Sequence, residues 1–236
     1  MKLITSGILM LLMPLMSFSH TYFSESLCQQ SDYHCIKIKS GESWESLFPN
    51  DQQRDLVQRA NRMNIQVRPG MSIAVPNHLE NLSIYDISPF PRFIPATNEK
   101  SIYVDQKLLA WGAYNEAGEL VWWGPVSGGS GQCAKSQGDC LTPTGSFRVI
   151  RKSDETCIST VFPVRPNGEK GGAIMPYCMH FWRGYALHGS EEVPGYLASH
   201  GCVRLFIQDA RWLNEEFIDL PGAGGKIGTR VVITTR

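Results

Sequence analysis

The stretch Ala186–Phe206, ALHGSEEVPGYLASHGCVRLF, sets two histidines and one cysteine among glycines and a proline. His188, His200 and Cys202 could be packed core residues, ligands of a metal, or the working parts of a nucleophile. A lone histidine is usually a satisfied structural residue, and His20, His34, His78 and His180 are read that way. His188 and His200 differ because each is followed by glycine. Glycine permits φ > 0 and close backbone approach, which packing alone rarely requires twice beside a histidine.

A zinc site would use His188, His200 and Cys202, with His180 as a fourth ligand. The H-x-C spacing matches no standard zinc knuckle, however, and the chain contains neither CxxC nor HExxH. Nucleophilic catalysis fits better. A free thiol ionises near pH ~8.5, so it needs a neighbouring base or a positive environment at neutral pH. With ALHG and SHGCVRL side by side in a sheet, the ring of His188 faces the sulfur of Cys202. The backbone N–H groups around His200, Gly201 and Cys202 would then point at a developing oxyanion.

The rest of the chain says where such chemistry would operate. The 236 residues fit one large domain or two smaller ones, and 42% are hydrophobic, enough for a packed core. Lys+Arg and Asp+Glu balance at 22 each, so no global charge points to nucleic acid. The 22 glycines and 14 prolines favour turn-rich β structure over a helical bundle. Residues 1–19 read as an export signal: Lys2, an apolar run over Ile8–Met16, then Ser17-Phe18-Ser19. The run is short of the ~20 apolar residues of a spanning helix, and Pro14 interrupts it.

Export into an oxidising envelope makes the seven cysteines a disulfide set with one left over. Neighbour pairing gives Cys28–Cys35, Cys133–Cys140 and Cys157–Cys178, one of the 15 connectivities six cysteines allow. Cys202 is the expected free thiol.

Residues 35–76 form a small unit of their own. CIKIK alternates like a strand, Ser43 is placed to cap a helix carrying Trp44, Leu47 and Phe48, and Asp51 opens a second helix. On that second helix Leu56, Val57, Ala60 and Met63 share a face. Pro69-Gly70 turns the chain into MSIAV, which Pro76 ends. Through GESW, Asn61 and the Pro69–Pro76 spacing, this βααβ unit resembles a LysM module. The resemblance implies a shallow groove for N-acetylglucosamine-containing glycan strands.

Residues 77–100, with Pro89, Pro91 and Pro95, read as a stiff linker packed on the second module. From 101 to 236 strand signals dominate: IYV, LLAWGAY and ELVWWGPV as an antiparallel start with a turn at Asn115–Gly118, then SFRVIRK, and finally VVIT. One late helix is expected over Ile207–Leu220, with Ile207, Ala210, Leu213 and Phe217 on its buried face and Pro221-Gly222 as its stop.

Over about Ile102–Thr234 the ordered set VSGG (Val126–Gly129), TPTG (Thr142–Gly145), MPY, ALHG and SHGCVRL resembles the YkuD-type L,D-transpeptidases. The resemblance implies a mainly β fold, a β-sandwich with a short helix. It makes Cys202 the nucleophile, His188 the base and acid, Gly201 part of the oxyanion hole and His200 an orienting or polarising group. Ser199 and Arg204 would support the geometry or meet a substrate carboxylate. Met175, Tyr177, Phe181, Trp182 and Tyr185 could wall a substrate groove, with core packing the commoner role for most aromatics; Met175 and Tyr185 are the substrate-binding candidates.

The implied reaction is attack by Cys202 on the third residue of a peptidoglycan tetrapeptide, release of D-alanine, and transfer to an amine. That amine could be another stem, a free D-amino acid or a lysine of an outer-membrane lipoprotein. Water as acceptor would give a carboxypeptidase, and carbapenem-type inhibitors would acylate the same thiol. Periplasmic location follows from the export signal. No metal or organic cofactor is implied. A wall-binding protein with a vestigial site is the reading from another class, and the intact Cys202 and His188 argue against it.

Overall fold

A computed structural model describes residues 21–131, 140–164, 167–222 and 225–235. The expected export signal (1–19) and Cys133, half of one expected disulfide, lie outside the described residues.

A short helix, α1 (Phe23–Leu27), leads into β1 (Tyr33–Lys37), α2 (Trp44–Leu47), α3 (Asp51–Ala60) and β2 (Ser72–Pro76). Strands β1 and β2 pair antiparallel, from Tyr33↔Pro76 to Lys37↔Ser72. β1 begins two residues before the CIKIK pattern because its pairing with β2 extends to Tyr33. Ser43 caps α2 by accepting from the Ser46 N–H, and Asn50 caps α3 by accepting from Gln52 and Gln53. These contacts satisfy N–H groups that a helix start leaves orphaned. Asn61 ends α3 and ties it to the sheet: its amide donates to Val57 O and Ala74 O, and its carbonyl oxygen accepts from the Ala74 N–H. Trp44, Phe48, Val57, Met63, Ile73 and Val75 fill a core belonging to this unit alone. Cys28 and Cys35 are disulfide-bonded, with Cα atoms 5.7 Å apart.

After a 3-10 turn at Leu79–Asn81, residues 82–98 run along one hairpin of the second unit, where Tyr85 donates to Val121 O and Ile94 N–H to Gly118 O. The second unit is built on β3 (Ser101–Asp105), β4 (Ala110–Tyr114), β5 (Leu120–Ser127), β6 (Gly145–Arg148), β7 (Arg151–Lys152), β8 (Met179–Trp182), β9 (Tyr185–Gly189) and β10 (Val203–Leu205). Helix α4 (Ile207–Trp212) follows, then β11 (Pro221–Gly222), β12 (Lys226–Ile227) and β13 (Arg230–Ile233).

Among the described residues nine of these strands form one sheet in the order β6-β13-β3-β4-β5-β10-β9-β8-β7. SFRVIRK is therefore not one strand. Its first half pairs with β13 at one edge and its second half with β8 at the other. Between them the Val149 N–H donates to Thr229 O and the Ile150 N–H to His180 O. One dipeptide bonds to both ends of the sheet, so the sheet is curled until its edges meet. The two layers of the expected sandwich are halves of this single curled sheet.

Ile102, Trp111, Val126, Leu187, Val203, Leu205 and Val231 pack inside it against Ala210, Leu213 and Phe217. Those last three are the helical face read from the sequence. Helix α4 relaxes into a π turn at Leu213–Phe217 and ends there, short of the expected Leu220.

The two units also share a core, in which Leu56, Ala60 and Ala74 of the first meet Ala110, Tyr114, Leu120 and Trp123 of the second. Through it runs an ion pair. Arg59 of α3 donates to both carboxylate oxygens of Asp209 on α4, at 2.8 and 3.0 Å, and to Trp123 O at 2.9 Å; its Nε reaches Asp55 at 2.7 Å. Burial alone would depress the Arg59 guanidinium, but Asp209 and Asp55 carry it above the ordinary arginine value. Burial pushes the Asp209 carboxyl up, against the pull of Arg59 and the Trp122 indole. Glycine is required at 124, where a Cβ would lie 2.1 Å from the Asp209 carboxylate.

Candidate active site

Strands β9 and β10 lie parallel and adjacent, with Leu187 opposite Val203, His188 opposite Arg204 and Gly189 opposite Leu205. Register partners share a face and side chains alternate along each strand. One step back along both strands, Cys202 falls opposite Ala186, so Cys202, Arg204 and His188 project from one face. Strand β8 adds His180, the partner of Ala186, to that face.

The His188 ring is buried, and its Nδ1–H donates to Gly189 O at 2.9 Å. That bond fixes the tautomer and leaves Nε2 with a lone pair. Burial lowers the His188 pKa to about 4, with Arg204 and His180 adding to the effect and the Gly189 bond opposing it. The imidazole is therefore neutral at physiological pH. Cys202 is the free cysteine among the described residues. It packs against Met175, Ala186 and the Cys157–Cys178 disulfide. Burial pushes its thiol up, while the Ala186 backbone and Arg204 pull it down. At rest the pair is thiol and neutral imidazole, not thiolate and imidazolium.

The turn before Cys202 is held by hydrogen bonds from both sides. The buried Ser199 hydroxyl donates to Cys202 O and accepts from the Gly201 N–H at 3.0 Å. The Ser199 N–H donates to Gly128 O, and the Ser130 N–H to Ser199 O. Thr142 donates its hydroxyl to Gly201 O at 2.8 Å and accepts from the Gly129 N–H at 2.8 Å. The VSGG and TPTG segments thus brace the turn of the SHGC segment.

Gly201 sits at φ +116°, and a Cβ there would lie 2.6 Å from the Tyr185 ring. Its conformation requires glycine, and its N–H donates to the Ser199 hydroxyl. Ser199 supports the turn, its hydroxyl engaged twice within it.

The other candidates divide. His200 is exposed and stacks on Phe162, ring centroids 5.1 Å apart. Arg204 bonds Glu192 O at 3.1 Å and lies 3.5 Å from the Glu192 carboxylate, so it anchors the loop between the two strands. Met175, Tyr177 and Phe181 are buried packing residues. Trp182 and Tyr185 stack on each other, and Tyr185 helps line a cavity of about 470 Å³ with Leu141, Thr142, Pro143 and Thr144. A larger hollow of about 530 Å³ lies elsewhere; its Glu99, Arg148, Lys100 and Asp219 are paired with one another or with Arg230. The zinc reading finds no support in the arrangement: among the described residues no three His, Cys, Asp or Glu side chains are grouped to hold a metal.

Sequence reasoning missed the Gly189 carbonyl, whose only signal was the glycine after His188. It also missed the Thr142 brace, and it left His180 as a structural residue although its buried Nδ1 has no partner.

The YkuD family model, the L,D-transpeptidase catalytic domain, matches residues 99–233. No curated protein matches the chain. Among solved structures the chain is similar to an L,D-transpeptidase from Xylanimonas cellulosilytica, with 26% identity over 78% of this chain and 79% of that one and a TM-score of 0.53. Likeness to an L,D-transpeptidase of Stackebrandtia nassauensis is 19% identity over 90% and 89% of the two chains, TM-score 0.45. For L,D-transpeptidase 3 from Mycobacterium tuberculosis, in complex with a faropenem-derived adduct, the values are 19%, 58% and 60%, and 0.42.

Proposed function

The chain belongs to the YkuD family of L,D-transpeptidase catalytic domains, and from that premise we propose that it is a peptidoglycan transpeptidase whose nucleophile is Cys202. The observation that carries this reading is the free Cys202 thiol on one sheet face with a neutral His188 whose Nδ1–H is fixed on Gly189.

The resting protonation states define the chemistry. Cys202 attacks the carbonyl between the third residue of a stem tetrapeptide and its terminal D-alanine as its thiol proton passes to His188 Nε2. The C–S bond forms and the carbonyl electrons move to oxygen. Because the Gly201 N–H is held by Ser199, the Cys202 backbone N–H is the foremost donor of the turn for that oxyanion. Collapse breaks the C–N bond, and imidazolium returns the proton to the departing amine of D-alanine. An acceptor amine then attacks the thioester, gives a proton to His188, and releases the sulfur, which is reprotonated. The acceptor is a second stem, a D-amino acid or a lipoprotein lysine. A carbapenem or penem would stop at the acyl stage.

The two disulfides among the described residues support an oxidising, periplasmic location. The βααβ fold of residues 33–76 supports a LysM-type role in holding glycan strands. Co-sedimentation of the full chain with sacculi, competed by N-acetylglucosamine oligomers, tests that role, and sedimentation indifferent to the oligomers removes it.

The reaction is tested by incubating the protein with purified disaccharide-tetrapeptides and reading product masses. Loss of D-alanine with joined stems is expected. Tripeptide alone would make it a carboxypeptidase, and unchanged substrate over an alkylatable Cys202 would make the site vestigial.

A further inference from the structure

The loop between His188 and Cys202 is the crossover of a parallel strand pair, a connection usually made by a packed helix. Here residues 190–199 contain no helix. Their outer side is instead covered by the N-terminal unit. The Asn64 N–H donates to Val193 O at 3.0 Å, its carbonyl oxygen accepts from the Val193 N–H at 2.9 Å, and its amide donates to Ser190 O at 2.8 Å. Met63 bridges to Pro194, and the Phe23 N–H donates to Gly195 O at 2.9 Å. Gly195 has φ +82°, and a Cβ there would stand 3.1 Å from Asn61 O. Val193 is fully buried beneath this contact. On its inner side the same loop is held by Arg204, through Glu192 O, and by Ser127, through Tyr196 O.

We infer that Asn64 is a positioning residue for the His188–Cys202 pair, holding from the N-terminal unit the loop that separates base from nucleophile. The inference rests on the proposed roles of those two residues. With three hydrogen bonds Asn64 supplies what a neighbouring strand would supply, and it does so in the His188 half of a loop whose ends carry the chemistry. The N-terminal unit is then part of the catalytic apparatus as well as its neighbour.

The test uses the full chain with Asn64→Ala and Asn64→Asp; the aspartate keeps an acceptor for the Val193 N–H and loses the donor to Ser190 O. Two rates are followed against pH in each folded variant: alkylation of Cys202 by iodoacetamide, mapped by peptide mass, and acylation by a stem tetrapeptide. A displaced loop misplaces the reacting groups, and a misplacement of about 1 Å costs up to ~10²-fold. Asn64→Ala should slow both rates on the order of tenfold or more, with Asn64→Asp between it and the wild type. The acid limb should also move up towards the ordinary histidine range as water reaches His188, whose facing charged and titratable groups are Arg204 on β10, His180 on β8 and Cys202 itself.

A role confined to global stability would lower the melting temperature and leave the rates and the limb of the folded protein unchanged. Wild-type rates and limb in folded Asn64→Ala overturn the inference; if that variant does not fold, the same result in Asn64→Asp overturns it. Iodoacetamide reads the pair whatever the substrate, so a wild type inert to tetrapeptides would remove the proposed function and leave this test standing.

Discussion

Two clusters of buried ionisable side chains are treated in opposite ways in this protein. Between α3 and α4, Arg59 and Asp209 are brought together with every obvious partner present: a bidentate carboxylate, the Asp55 carboxylate, the Trp122 indole and the Trp123 carbonyl. Across β8, β9 and β10, His188 and His180 are buried, and Cys202 half-buried, with far less. His188 has one backbone bond, His180 Nδ1 has none, and burial holds the imidazole and the thiol neutral. Arg59 enters the interior with its counter-charge built in, whereas Arg62, buried one turn further on, is held by the Leu108, Arg59 and Ala60 carbonyls and by the faces of Phe23 and Trp123. At the proposed site the groups are neutral, and the His180 Nδ1 is left without a partner.

The sharpest break between the two clusters is chemical. Cys202→Ala should abolish covalent adduct formation with a tetrapeptide or a carbapenem, read by intact mass, and an adduct on another residue would overturn the assignment. His188→Ala should slow acylation by ~10²–10⁴-fold, the usual worth of a general base, in a stopped-flow assay. Cys202→Ala should cost little stability, and the cost of His188→Ala should be that of the cavity left by a buried ring, since neither strands a buried charge.

Asp209→Ala should do the reverse. Leaving Arg59 buried without its carboxylate should lower the free energy of unfolding by about 3–5 kcal/mol in urea, with the folded fraction still able to acylate. A paired Arg59→Met and Asp209→Leu exchange should recover most of that loss, and failure to recover it would show that the pair does more than balance charge.

Acid separates the clusters more gently. The His188 pKa falls from the ordinary 6.5 to about 4 on folding, so between those values the unfolded chain binds a proton that the folded chain refuses. Stability is therefore full above about pH 6.5 and declines by ~3 kcal/mol as pH drops to about 4. The decline should flatten in His188→Phe, measured by urea midpoints across that range. The acid limb of acylation should lie near pH 4 for the same reason. Reduction of the Cys157–Cys178 bridge beside Cys202 should have a comparable or smaller effect, about 2–4 kcal/mol, visible as a lower melting temperature.

What could be read from the chain beforehand follows the range of the interactions. The cap at Ser43 is local and appears in the structure as read. Leu56, Val57, Ala60 and Met63 are all buried but do not share a helix face: α3 ends at Ala60, and Leu56 and Ala60 enter the shared core while Val57 and Met63 enter that of the first unit. The juxtaposition of ALHG with SHGCVRL was legible because both strands belong to one motif, and the parallel register confirms it. The division of SFRVIRK between two edges was not legible, since a continuous apolar-polar run does not reveal that its halves pair with β13 and β8. The bond from the Gly201 N–H to Ser199 was not legible, because a glycine signals permitted φ and says nothing of where its hydrogen points. Asn64 lay beyond reach altogether: its partners are Ser190 and Val193, and no local pattern announces contacts over that separation.

The seam at Val149-Ile150 has a consequence for how this protein keeps company. The strands at the two ends of the sheet, Gly145–Arg148 and Arg151–Lys152, are short and flank the dipeptide that draws the ends together. A long unpaired edge is a template on which another chain can add a strand. Here the exposed template is a few residues long and carries Arg148, Arg151 and Lys152. Among crowded, partly folded neighbours, such an edge gives a foreign strand little to grip, and the curl that shapes the site also guards the protein against being drawn into an aggregate.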